Sequence, residues 1–158
     1  MGSKSEFSMR NWPTDPATSK RMRSVGQSET EPEVCVGSIL KQSGFRFRTN
    51  VKSLPGTPDF CHKLHRWIIF VHGCFWHAHR GCGRATIPIR NQRAWLLKIR
   101  DNRGRDRRVT KELRSLGYAV LTVWECETGD RFRLSRRLTQ FVTRQSSTRR
   151  GRNAKDWK

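Results

Sequence analysis

The segment His72-Gly73-Cys74-Phe75-Trp76-His77-Ala78-His79-Arg80-Gly81-Cys82 packs two cysteines and three histidines into eleven residues. Thiolate and imidazole ligands at such short spacing suit tetrahedral zinc. Cys74, His79 and Cys82 supply three ligands, and a fourth must come from elsewhere. Cys126 is the best candidate, because Trp124-Glu125-Cys126 closes an apolar run. Four protein ligands leave no open coordination position, so a site of this kind is structural. The other cysteines, Cys35 and Cys61, sit in a helical and a strand pattern and read as apolar core residues. His62 and His65 read as surface residues of a hairpin.

A second constellation is Pro58-Asp59-Phe60 with Phe70-Val71-His72. If residues 58–62 and 67–72 form a hairpin around 63–66, Asp59 falls opposite Phe70 or Val71, with His72 just beyond. A carboxylate, a strand carbonyl and an imidazole then meet at one end of a sheet. Hard oxygen ligands suit magnesium, which keeps several waters and takes substrate phosphate as a further ligand. The third feature is aromatic: Phe75-Trp76 lies in a short loop with little interior of its own, and Trp95 begins a basic stretch. Apolar wedges of this kind enter a base stack and make binding depend on how readily the duplex distorts.

The elements that must position these groups are legible between the chain ends. Thr30-Glu31-Pro32-Glu33 is a capping box. It opens a helix with apolar Val34, Ile39 and Leu40, stopped at Gly44. Phe45-Arg46-Phe47-Arg48 alternates with period two and predicts a strand. Leu54-Pro55-Gly56-Thr57-Pro58 is a turn, and Asp59–Cys61 with Trp67–Val71 forms the hairpin. Helical spacing returns at Trp95, Leu96 and Ile99, and again at Val109, Leu113 and Leu116, before Gly117. Tyr118–Trp124 predicts a central strand, and Phe132, Leu134, Leu138 and Phe141 a last helix. The order α-β-β-β-α-β-α predicts one α/β domain over residues 19–142, a mixed central sheet flanked by helices. Residues 1–18 are expected to be a flexible arm and residues 143–158 a basic disordered tail.

Charge names the class of partner. The 158 residues carry 33 Lys+Arg against 13 Asp+Glu, a formal net charge of +20. Residues 90–114 hold ten basic and three acidic side chains, and residues 131–158 ten and one. A polyanion bound through counterion release is the expected partner. A hydrophobic content of 34% is enough for a core, which excludes a wholly disordered polycation. No apolar run approaches the ~20 residues of a membrane span, so no membrane is expected. The N-terminus lacks the pattern of a signal peptide, and five cysteines without one point to a reducing compartment.

Leu54-Pro55-Gly56-Thr57-Pro58-Asp59-Phe60, Phe70-Val71-His72-Gly73-Cys74-Phe75-Trp76-His77, Trp124-Glu125-Cys126 and Ser19-Lys20-Arg21-Met22-Arg23 together resemble the very-short-patch repair endonucleases. The likeness runs over residues 17–142, and the Arg105-Asp106-Arg107-Arg108 run fits it. That resemblance implies a restriction-endonuclease-like fold and a nick in one strand 5′ of the thymine of a T:G mismatch, the product of 5-methylcytosine deamination. It implies magnesium on Asp59 and the main-chain carbonyl of Val71, with His72 and His77 flanking the scissile phosphate and Glu33 assisting. It also implies zinc on Cys74, His79, Cys82 and Cys126, and an aromatic wedge of Phe75, Trp76 and Trp95. Met22 and the N-terminal segment would grip the other groove, with Arg105, Arg107 and Arg108 on the DNA. The implied setting is the bacterial cytoplasm, at the nucleoid, with contact to mismatch-repair proteins. A monomer is the simpler expectation, because a mismatch is asymmetric.

The chain departs from the family pattern in places. Val71 stands where Thr is common, and the loop is one residue longer between His79 and Cys82. An imidazole, His72, stands where restriction-type sites carry a Lys. Two other readings share the charge and the aromatics: a zinc-stapled basic nucleic-acid-binding module without catalysis, and a nuclease of the same fold with a non-mismatch target. Glu33, Asp59, His72 and His77 discriminate against the first, since a binding module has no use for a carboxylate facing phosphate.

Overall fold

The computed structural model describes residues 29–153, with side chains to residue 147. The N-terminal arm, the 19–23 run and Met22 lie outside the described residues. The unit that begins at Glu31 is an α/β domain with three α-helices and a mixed four-stranded sheet among the described residues. In chain order it runs α1 (Glu31–Gln42), β1 (Arg48–Thr49), β2 (Phe60–His62), β3 (Trp67–His72), α2 (Gln92–Ser115), β4 (Ala119–Trp124) and α3 (Arg131–Asn153). Short 3₁₀ turns at Gly83–Ala85 and Glu125–Gly129 flank α2 and β4.

The sheet order is β1-β2-β3-β4. The two left-hand pairs are antiparallel and β3–β4 is parallel. The hairpin register pairs Phe60 with Ile69 and His62 with Trp67, so by continuation Asp59 falls opposite Phe70. Side chains alternate across a strand, and the packing follows that parity. Phe60, Trp67, Ile69 and Val123 face a core completed by Val36, Ile39 and Leu40 of α1 and Leu134, Leu138 and Val142 of α3. Cys61, Ile68 and Phe70 face the opposite way, onto Leu113 of α2. Residues 59, 72, 122 and 124 share the parity of that second face.

Two helix stops work as the glycines suggest. At Gly44 and Gly117, both with positive φ, the following N–H reaches back to the carbonyl five residues earlier: Phe45 to Leu40 and Tyr118 to Leu113, each at 3.0 Å. This closure satisfies the last helical carbonyls while aiming the chain back onto the sheet.

Elsewhere the structure corrects the sequence pattern. Phe45 and Phe47 pack against the core, but the strand ladder starts only at Arg48, since the Phe45 amide is spent on the helix closure. β4 is an edge strand, not a central one. It is apolar because its two faces are both covered, with Leu121 and Val123 on one side and Tyr118 and Val120 on the other. Val34 is 60% exposed and Phe132 is 76% exposed, so neither belongs to the core. The two helical stretches at 95–116 form one continuous helix. Residues 143–153, expected to be disordered, continue α3. There Ser146 and Ser147 donate to the carbonyls of Val142 and Thr143, and the packed first half supplies the nucleus that an isolated helix lacks.

Candidate active site and metal centre

The turn at 54–57 delivers Asp59 to the end of β2. Thr57 N–H donates to the Leu54 carbonyl, and Gly56 takes a left-handed φ of 73°. A Cβ on Gly56 would stand 2.5 Å from Val109 Cγ1, so this turn is seated directly on α2. Asp59 Oδ2 accepts the Val71 N–H at 2.7 Å, which ties the carboxylate to the end of β3. Burial raises the Asp59 carboxyl to about 6, and the nearby Glu33 charge adds to the rise; the Val71 N–H and His77 oppose it. A half-buried carboxylate held up by a second acid is the environment that a bound divalent cation relieves. The hard oxygens present therefore fit magnesium.

His72 ends β3, and its ring stacks on that of His77, centroids 3.9 Å apart and 9° from parallel. His77 Nδ1 hydrogen-bonds Asp106 Oδ2 at 2.5 Å. Burial opposes ionisation of Asp106, yet the His77 hydrogen bond and the charges of His77, His72 and Arg105 hold its carboxyl below the usual range. His72 is lowered to about 4 by burial and by its His77 neighbour, so it is neutral at pH 7. The ligand atoms of His72, His77 and Asp106 lie within 4.8 Å of one another. Two atoms on one small cation stand about 3 Å apart, so the 2.5 Å contact makes His77–Asp106 a hydrogen-bonded dyad. Asp106 accepts Nδ1–H and leaves Nε2 free to accept a proton, the orienting role a buried acid plays beside a catalytic imidazole.

The second cluster is Cys74, His79, Cys82 and Cys126, again with ligand atoms within 4.8 Å of one another. His79 Nδ1 lies 3.6 Å from Cys74 Sγ and 3.3 Å from Cys126 Sγ. Ligands on a tetrahedral zinc are about 3.3–3.8 Å apart, so the donor set fits that ion. Burial pushes the Cys74 thiol up to about 12 and raises Cys126, while the Arg84 N–H lowers Cys82. A cation among the sulfurs would remove the cost of the thiolates. His79 also stacks on Trp124, rings 4.2 Å apart, and Glu125 Oε2 accepts the Cys74 N–H at 3.1 Å. The longer His79–Cys82 connection is closed by the Cys82 N–H on the His79 carbonyl at 3.3 Å.

Phe75, Trp76 and Trp95 form one edge-to-face cluster, centroids 5.2–6.1 Å apart, and all three rings are partly exposed. Arg105, Arg107 and Arg108 are exposed on α2. Arg105 is also paired with Asp106, and Glu33 lies in the first turn of α1.

Three contributors escape sequence reasoning. Asp106 looks like one of three ordinary acids in a basic helix until His77 meets it. Asn102 Nδ2 donates to the Trp76 carbonyl at 3.0 Å. Its spacing of seven from Trp95 and four from Asp106, one helix face, is the signal that could have found it. Glu125 is bound on its other oxygen by Arg84 at 3.3 Å. Cys35 is half-buried and accepts a hydrogen bond from Arg131, whereas Cys61 is fully buried. The His62 and His65 rings meet at a tilt at the β2–β3 turn, centroids 4.4 Å apart and 36° from parallel, and His62 Nδ1 accepts the His65 N–H.

The Asp59 environment has a measurable cost. The folded carboxyl, at about 6, is raised above the ordinary 3.8. Its contribution is therefore fully present below pH 4 and lost as pH rises through 6, by about 3 kcal/mol for two units. Asp59→Asn keeps the Val71 acceptor without the charge. In urea melts without added magnesium it is expected to be more stable than the parent at pH 7.5 by up to that amount. The gap closes near pH 4; equal stability at both pH values would contradict the burial.

The model of the family DNA mismatch endonuclease Vsr matches residues 13–84. The chain is 44% identical over 121 residues to the type II nicking enzyme V.XorIIP of Xanthomonas oryzae pv. oryzae, covering 77% of this chain and 88% of that protein. It is 40% identical over 128 residues to the type II nicking enzyme V.NmeAIP of Neisseria meningitidis, covering 79% and 91%. With the DNA mismatch endonuclease Vsr of Escherichia coli it shares 43% identity over 122 residues, 77% of this chain and 78% of that one. Relatives this similar over this much of both chains decide the matter: the chain belongs to the Vsr family of DNA mismatch endonucleases.

Proposed function

We propose that the protein is a mismatch-repair endonuclease that nicks one DNA strand 5′ of the thymine in T:G mismatches, using magnesium. The observation that carries this is one juxtaposition. A half-buried carboxylate and an Asp106-oriented His77 meet at the end of the sheet, next to a partly exposed aromatic cluster and the basic α2. A binding module needs the aromatics and the charge but not the half-buried acids. The sheet and helix order supports a restriction-endonuclease-like arrangement, with Asp59 in the position of its metal-binding acid.

Asp59 and the main-chain carbonyl of Val71 would hold the magnesium, with Glu33 close by. When bound, that ion supplies charge to the phosphate and to the leaving 3′ oxygen. His77, with Nδ1–H held by Asp106, is placed to take the proton of the attacking water at Nε2. His72, neutral at pH 7, contacts the phosphate and packs against His77, keeping its ring fixed. Phe75, Trp76 and Trp95 serve as the wedge at the mismatch, which a T:G pair admits more readily than a matched pair because it is weaker. Arg105, Arg107 and Arg108 bind the backbone. Zinc on Cys74, His79, Cys82 and Cys126 serves structure, since all four positions are protein ligands. The setting is the bacterial cytoplasm, at the nucleoid, as a monomer that meets other mismatch-repair proteins.

Incubation with magnesium should nick a T:G duplex and leave T:A and C:G duplexes intact, and Asp59→Ala should abolish the nick while binding persists. Equal cutting of all three would keep a nuclease and remove the mismatch reading; full activity of Asp59→Ala would remove the site. Metal analysis of purified protein should find about one equivalent of zinc, lost in Cys126→Ser. Less than about half an equivalent in the parent would count against the four-ligand centre.

A further inference from the structure

The order β2-β3-β4 puts Asp59 and Trp124 on opposite flanks of β3, with His72 between them. On the β4 flank lies a cleft of about 330 Å³ that shares a wall with the proposed catalytic groups, His72, His77 and Asp106, while Asp59 is not part of its lining. Its floor includes Trp124 with His79 stacked on it, and Thr122 adds a hydroxyl. Arg80, Arg103 and Arg107 stand around it, and all three are exposed. None of them pairs with a described carboxylate. Asp106, the acid on this wall, is taken up by His77 and Arg105. The cleft therefore offers three uncommitted guanidiniums over a largely aromatic floor. Guanidiniums bind phosphate oxygens in forks, and a flat apolar floor accepts a sugar.

We propose that this cleft is a second phosphodiester subsite, in which Arg80, Arg103 and Arg107 hold the linkage next to the one that is cut. The inference rests on the proposed placement of the scissile phosphate between Asp59 and His77. It fixes the path of the nicked strand, which crosses the end of the sheet from the β2 side over His72 to the β4 side. Phosphate seated in this cleft would pin the strand on the far side of His77 and hold the scissile linkage against the metal-binding acid.

The test reads binding, so it does not depend on cutting. The full-length protein is titrated by anisotropy, without added magnesium, against a labelled T:G duplex. In a series of such duplexes, one linkage at a time near the expected nick is replaced by a neutral methylphosphonate. The parent is expected to lose roughly tenfold in affinity when a linkage adjacent to the scissile one is neutral. Arg103→Ala should bind the unmodified duplex roughly tenfold more weakly, with a salt slope lower by about one. It should also be indifferent to that adjacent methylphosphonate while remaining sensitive to others. An Arg103→Ala protein as sensitive as the parent at every linkage, or with an unchanged salt slope, would overturn the subsite. A parent that binds and shows this pattern but cuts nothing would refute the nuclease reading and leave the subsite standing. Normal zinc content in Arg103→Ala shows that a lost contact, not a lost fold, is being read.

Discussion

The functional end of this protein depends on β3 and β4 running parallel. Parallel strands finish at the same edge of a sheet, so the loops that follow them emerge side by side. His72 pairs in register with Trp124, and two residues past each lie Cys74 and Cys126. An antiparallel pair would have sent Cys126 to the far edge and left the Cys74, His79 and Cys82 cluster without its fourth member. The same register sets Glu125 under the Cys74 amide and Trp124 under the His79 ring. The loop from 73 to 82 contributes a single fully buried side chain, Cys74, and takes its shape from the strand ends.

The second support is one face of α2. Trp95, Ile99, Asn102, Asp106, Val109 and Leu113 follow helical spacing, and they are divided between packing and chemistry. Ile99 and Leu113 are buried. Trp95 meets the aromatic rings, Asn102 the Trp76 carbonyl, Asp106 the His77 ring, and Val109 the turn that carries Asp59. A rigid helix thus registers the aromatic cluster, the imidazole and the acid-bearing turn against one another. Such support is what keeps catalytic groups within a few tenths of an ångström of working geometry.

Much of this was legible because local pattern and global fold agree. The hairpin register followed from counting residues across a short turn, and the glycine stops from their place after an apolar period. The convergence of Cys74, His79, Cys82 and Cys126 followed from residue types that have few other uses at such density. What escaped depends on tertiary contact. Asp106 is an ordinary acid in a basic helix until 29 residues of separation in sequence become one hydrogen bond. The edge position of β4 was hidden because two covered faces produce the same apolar run as a central strand. Phe132 and Val34 fit the helical period but fall at its margin, where the core does not reach. The helical course of residues 143–153 escaped because composition describes an isolated segment, not one continuing a packed helix.

Net charge attracts DNA without choosing a site, since phosphate contacts carry no sequence information directly. On the proposed reading, discrimination and cutting fall to a few aromatics and to His77, held by Asp106. The most direct measurement is therefore the single-turnover nicking rate of Asp106→Asn on a T:G duplex under saturating protein, with zinc content and duplex affinity measured in parallel. The expected result is a rate lower by about two to four orders of magnitude, partly restored in Asp106→Glu, with zinc and affinity unchanged. A rate within about threefold of the parent would contradict the dyad and, with it, the account of how this site cuts.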